Sequence, residues 1–180
     1  IDGLKGFKGN HYTAFGTAIH YANEMLVQDS NCNGEKLFKE KFVEELKLLE
    51  EDSINKKMVL EMVEQGKHLV KFVLPSLVEY FGQYDVVSVE ESLFEGITEF
   101  ETDLNFKGFI DLVLKTQDGK YHVIDWKTCS WGWDARKRTD PMVVYQLVFY
   151  KHFYAQKHNL DPANIETHCL STFAKARFRK

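Results

Sequence analysis

Two apolar, β-branched segments, "FKGFIDLVLKT" and "KYHVIDWKT", flank the sequence Gln117-Asp118-Gly119-Lys120. Asp-Gly between such runs is a strong hairpin signal, so the segments read as neighbouring antiparallel strands. Each strand carries one carboxylate among apolar residues. Asp111 sits with Ile110, Leu112 and Val113, and Asp125 with Val123, Ile124 and Trp126. A carboxylate in such a strand is costly to bury unless it is paired or holds a metal ion. Lys127 follows Asp125 by two residues, and strand alternation puts both on one face. Two carboxylates and one ammonium therefore converge on the hairpin. They read either as an Asp–Lys ion pair that closes the hairpin or as a centre that binds a metal ion.

The remainder of the chain sets the fold class. Residues from about Thr13 to Val27 read as one helix, and the polar turn "DSNCNGE" leads into a second. The second runs roughly from Glu35 to Leu49, with Phe42, Val43, Leu46 and Leu49 on one face. A third spans about Asn55 to Phe81, with apolar Met58, Met62, Leu69, Phe72 and Val73, and Pro75 should kink or restart it. After Gly82, "YDVVSVEESLF" reads as a strand ahead of the hairpin. Pro141 marks the start of a helix whose apolar face carries Val144, Leu147, Val148 and Tyr154. "NIETHCLSTFAKARF" closes as a strand. Helices, three strands, a helix and a strand give an α/β sandwich around a mixed sheet. There is no internal repeat, low-complexity tract or linker. Residues 1–180 therefore read as one domain, 1–82 mainly helical and 83–180 the sheet core.

A chain of 180 residues is long enough for a substantial core. It has no run of 18 apolar residues that would span a membrane, and no signal-peptide pattern at its start. It begins without an initiator Met, which reads as a processed or truncated sequence. Cys32, Cys129 and Cys169 are odd in number and widely spaced, which argues against a disulfide framework and suits a reducing, cytoplasmic setting. The net charge of −4 does not by itself suggest a nucleic-acid partner, but its distribution is uneven. Glu79 to Phe106 holds eight acidic residues and no Lys or Arg, whereas Ala135 to Lys180 holds nine Lys or Arg against three acidic residues. That asymmetry suits a site binding both cations and phosphate, or two solvated faces of opposite sign.

Two more spacings bear on the hairpin. Gly16 and His20 are four apart on the first helix and share a face; the imidazole reads as a core residue or as part of a metal site. Gln146 and Tyr150 repeat that spacing on the helix after the hairpin, as packing with a polar rim or as part of the same site. In order, Gly16-x-x-x-His20, Gly108-x-x-Asp111, Asp125-x-Lys127 and Gln146-x-x-x-Tyr150 resemble the RecB-type branch of the PD-(D/E)XK nuclease superfamily. "VIDWKT" also resembles the corresponding strand of mitochondrial genome-maintenance exonucleases. The resemblance spans Gly16 to Tyr150 and implies a restriction-endonuclease-like core. It implies that Asp111 is the central metal ligand, with Asp125 and the backbone carbonyl of Trp126 as further ligands. Lys127 would orient the attacking water, and His20 would be an extra ligand. Gln146 and Tyr150 would position the nucleic-acid strand or support Lys127. A Glu from the preceding strand often joins such sites, and Glu90 and Glu91 are both available.

Phosphodiester hydrolysis needs a nucleophile made from water at neutral pH and relief of charge in the transition state. Oxygen-ligated Mg²⁺ or Mn²⁺ supplies both, and an imidazole among carboxylates shifts preference toward Mn²⁺. Some relatives, such as the CRISPR adaptation nucleases, hold an iron–sulfur cluster through four cysteines, three of them after the Gln-x-x-x-Tyr helix. Only Cys169 lies there, so no such cluster is expected. Those relatives also carry sequence before the Gly-x-x-x-His helix, again in keeping with truncation. In "SWGWDARKR", Trp131 and Trp133 interleave with Arg136, Lys137 and Arg138, as base-stacking and phosphate contacts or as a loop capping the core. Lys175, Arg177, Arg179 and Lys180 read as a frayed basic terminus or a groove lining.

The expected function is a metal-dependent exonuclease acting on single-stranded DNA or duplex ends, in a bacterial or phage setting of repair or recombination. The rivals are an endonuclease working as a dimer and an inactive module that binds nucleic acid or protein.

Overall fold

The computed structural model describes residues 9–50, 54–97, 103–129 and 140–173. The chain divides into two compact units, Ile1–Val73 and Leu74–Lys180. The first is helical: α1 is His11–Gln28, α2 is Gly34–Leu46 and α3 is Lys56–Val70. Asparagines begin all three. Asn10 accepts hydrogen bonds from the Tyr12 and Thr13 N–H groups at 2.9 and 3.1 Å, and its own N–H donates to Thr13 Oγ1 at 2.8 Å. Asn33 and Asn55 cap α2 and α3 by accepting from the Lys36 and Met58 N–H groups. Each such cap satisfies an otherwise orphaned donor and contributes about 1 kcal/mol.

Phe15 of α1 meets Phe38 and Phe42 of α2 edge-on, at 5.5 and 5.8 Å between ring centroids. Gly66 lets α3 approach this cluster, because a Cβ there would lie 2.0 Å from the Phe38 ring. The apolar faces differ in part from those the spacing suggests. Phe38 and Phe42 are buried while Val43 is exposed, and Met62, Leu69 and Val70 are buried while Phe72 is exposed.

Helix α3 stops at Val70 and α4 (Val73–Phe81) begins anew. Pro75 then falls in the first turn of α4, where a missing N–H leaves no bond unmade.

The second unit holds a four-stranded sheet in the order β1 (Tyr84–Gly96), β2 (Asn105–Thr116), β3 (Tyr121–Cys129), β4 (Ile165–Phe173). The pairs β1–β2 and β2–β3 are antiparallel and β3–β4 is parallel, so the sheet is mixed as the element order predicts. Residues 117–120 close the hairpin, with Gly119 at φ +87°, a left-handed conformation that favours glycine. A parallel pair needs a crossover, and α5 (Pro141–His158) supplies it, with Asp140 as N-cap and left-handed Asn159 ending it.

Tyr150, Phe153, Tyr154 and Ala155 of α5 bury themselves against Leu93, Ile110, Val113, Val123 and Ile165 of the sheet. Val144 and Val148, placed by spacing on the apolar face, are exposed. The first half of α5 is apolar nearly all round, so periodicity alone could not select its buried side. Among the described residues, no helix is long and apolar enough to cross a membrane.

Candidate active site

The β2–β3 ladder runs from Lys115↔Tyr121 to Leu112↔Ile124. One residue further, Asp111 Oδ2 accepts the Trp126 N–H at 2.6 Å. A carboxylate thus takes a backbone donor of β3, and Asp111 is tied to the strand that carries Asp125 and Lys127. Asp125 is 3% exposed, which its charge tolerates because Lys127 Nζ lies 2.8 Å from Oδ2 and donates to Oδ1 at 3.1 Å.

Lys127 also donates to Gln146 Oε1 at 2.9 Å, and Gln146 Nε2 donates to Tyr150 Oη at 2.9 Å. The i, i+4 pair on α5 is therefore the far end of a chain that starts at Asp125. Burial pushes the Tyr150 phenol up; the Gln146 bond and Lys127 oppose that, and the Asp125 and Asp111 charges reinforce it. Tyr150 stays a neutral phenol. Gly108, which opens the Gly-x-x-Asp motif, has a local reason to lack a side chain. A Cβ there would come within 2.8 Å of the Tyr150 ring and 2.9 Å of Phe106.

The structure gives Cys169 a place that its sequence position did not suggest. Cys169 of β4 is in register with Asp125. Its thiol is pushed up to about 11, first by burial and then by the Asp125 charge, so it stays protonated. Only the parallel register, which spacing along the chain does not reveal, could have found it.

Asp111, Asp125, the Trp126 backbone, Lys127, Gln146 and Tyr150 are thus brought together. Glu90 is exposed on β1 with φ +50°, between the pairs Val89↔Leu112 and Glu91↔Ile110 and so across the ladder from Asp111. Glu91 is held at the other end of α5: Lys157 donates to its Oε1 at 2.9 Å, His158 Nε2 lies 2.5 Å away, and Ser88 donates to its Oε2. Lys157 is about 16 Å along α5 from Gln146, so Glu91 is held by the opposite end of that helix from the residue that holds Lys127. Gly16 and His20 lie on α1 of the first unit, where His20 is half-buried. Trp131, Trp133, Arg136 and Arg138 lie outside the described residues, as do Lys175, Arg177, Arg179 and Lys180.

The donor set suits a hard divalent cation. Asp111, Asp125 and Lys127 together sum to a charge of minus one, and two carboxylates with the Trp126 carbonyl are the oxygen ligands that Mg²⁺ or Mn²⁺ takes. No curated protein matches the chain. A family model does match, over residues 1–176, and by that match the chain belongs to the PD-(D/E)XK nuclease superfamily.

Proposed function

We propose that the chain is a DNA exonuclease of the RecB-type branch, hydrolysing phosphodiester bonds with a metal-activated water. One observation carries the reading: Lys127 is held between Asp125 and Gln146, and Gln146 is held by Tyr150. An ammonium fixed beside a carboxylate pair can hold a water for attack and offset charge on the phosphate. Asp111 and Asp125, with the Trp126 carbonyl, would hold Mg²⁺ or Mn²⁺, and a bound ion supplies a hydroxide-like water near neutral pH. Gln146 and Tyr150 keep Lys127 from folding back and contact the strand. His20 has the role of further ligand, as the RecB-type resemblance implies. The family match runs through both units, which supports one nuclease domain over 1–180. The setting we assign is cytoplasmic, in bacterial or phage DNA repair or recombination, on single strands or duplex ends.

End-dependence rests on the motif set and on the aromatic and basic segment around Trp131, Trp133, Arg136 and Arg138, whose residue types stack and pair without reading sequence. The test is digestion of end-labelled linear and covalently closed circular DNA with Mg²⁺, Mn²⁺ or EDTA. Linear DNA is expected to be degraded with either ion and spared in EDTA, while closed circles survive. Asp111→Ala, Asp125→Ala and Lys127→Ala should each lower the rate at least a thousandfold, on the order of 4 kcal/mol of transition-state stabilisation. Rapid nicking of closed circles would make the chain an endonuclease. Parental rates in all three variants would refute the site.

A further inference from the structure

A second cluster of ligating side chains lies in the sheet unit, on the face of β3 away from Asp125. His122 and Asp125 are three residues apart, and an odd spacing in a strand points side chains to opposite faces. The parallel register sets Glu166 of β4 beside His122 and His168 beside Ile124, so His122, Glu166 and His168 share that face. Their ligand atoms converge. His122 Nδ1 is 3.0 Å from His168 Nε2, and Glu166 Oε2 is 3.7 Å from the first and 4.0 Å from the second. The circle through three atoms so spaced has a radius of about 2.1 Å, which is the zinc–nitrogen bond length. An ion near its centre would reach all three donors with shifts of a few tenths of an ångström.

The surroundings hold His122 in ligating form, while His168 Nε2 donates to the His122 Nδ1 and gives up that proton when an ion binds. Thr116 Oγ1 is 2.9 Å from His122 Nε2 and donates its own proton to Asp118 Oδ1 at 2.5 Å. A hydroxyl committed to Asp118 must accept from the imidazole, so Nε2 carries the proton and the Nδ1 lone pair faces His168. Lys120 pairs with Glu166 Oε1 and leaves Oε2 turned to the imidazoles. Such outer partners fix tautomer and orientation in metal sites. Phe81 packs on both rings, at 4.9 Å from His122 and 5.1 Å from His168 between centroids. Glu166 is 42% exposed, which leaves that side open for entry of an ion and a water as fourth ligand.

We infer that His122, Glu166 and His168 form a binding site for a zinc-type divalent ion, separate from the catalytic carboxylates. Two imidazoles and one carboxylate favour Zn²⁺ or Co²⁺ over Mg²⁺ and Ca²⁺, which take oxygen donors. The ion would bridge β3 to β4, the parallel pair that carries Asp125.

The test uses the full chain with Asp111→Ala and Asp125→Ala, stripped with EDTA and titrated with Zn²⁺ by calorimetry, with Co²⁺ absorption as a spectroscopic readout. One equivalent of zinc should bind, with visible Co²⁺ bands of tetrahedral type and a rise in thermal midpoint. Adding His168→Gln or His122→Gln should weaken binding at least a hundredfold and abolish the bands. Because His122 is buried and His168 half-buried, Glu166→Gln at the more open position provides a variant that keeps the fold, and it should weaken zinc at least tenfold. Absence of zinc binding in the doubly substituted chain, or an affinity unmoved by Glu166→Gln, would overturn the assignment.

Discussion

Glu91 is a nearly closed-off carboxylate, 8% exposed, on which Ser88, Lys157 and His158 converge. Burial alone would raise it, but the hydrogen bonds from Ser88, His158 and Lys157 prevail and hold it below the ordinary 4.5. The unfolded chain therefore binds the proton more readily than the folded one. The stabilisation is complete above about pH 4.5 and is lost as pH falls below it through the depressed folded value. Glu91→Gln removes charge-assisted bonds and is expected to cost about 2 kcal/mol at neutral pH. The gap between parent and variant thermal midpoints should then hold steady above about pH 5 and narrow as pH falls below about 4.5. A gap independent of pH would mean that Glu91 does not carry its charge in the folded state.

Legibility at this scale divides cleanly. Asp125 and Lys127 are two residues apart on a strand, and alternation is enough to pair them. Cys169 and Asp125 are 44 residues apart and meet only through the β3–β4 register.

Elements differ in how much of their placement their own pattern states. The hairpin states nearly all of it, because Asp118-Gly119 demands a turn and the flanking runs demand strands. Helix α5 states little, since Met142, Val144, Tyr145, Val148 and Phe149 are exposed while Tyr150, Phe153 and Tyr154 are buried, and all are apolar or aromatic. What fixes its rotation is packing on β2, where Gly108 leaves room for the Tyr150 ring. Gly108→Ala should therefore act on the site through Tyr150 and Gln146. The expected cost is about 1–3 kcal/mol, the usual range for overpacking, with at least a tenfold loss of cleavage rate. Thermal melts and single-turnover cleavage check it. An unchanged midpoint together with an unchanged rate would show that this glycine is not a spacer for Tyr150.

For the molecule as a whole, the charge pattern bears on substrate binding more than the net charge does. A chain of net charge −4 that grips phosphates must do so through local basic clusters, such as Arg136 to Arg138 and Lys175 to Lys180 in the sequence. Binding by such clusters releases counterions. Affinity of the EDTA-treated chain for single-stranded DNA should fall roughly tenfold or more between about 50 and about 200 mM NaCl. Fluorescence anisotropy on a labelled oligonucleotide measures it, and a salt-independent affinity would rule out phosphate contacts as the main source of binding. By itself the sequence determined the element types, the hairpin, the mixed sheet and the catalytic candidates Asp111, Asp125 and Lys127. Each of those follows from local periodicity, turn chemistry or spacing within one element. Only the tertiary structure decided that Asp111 grips the Trp126 N–H, that Gln146 links Lys127 to Tyr150, and that Glu91 serves the far end of α5. It alone brought His122 to Glu166 and His168. Those outcomes depend on strand register and helix rotation, which are set by packing between segments distant in sequence.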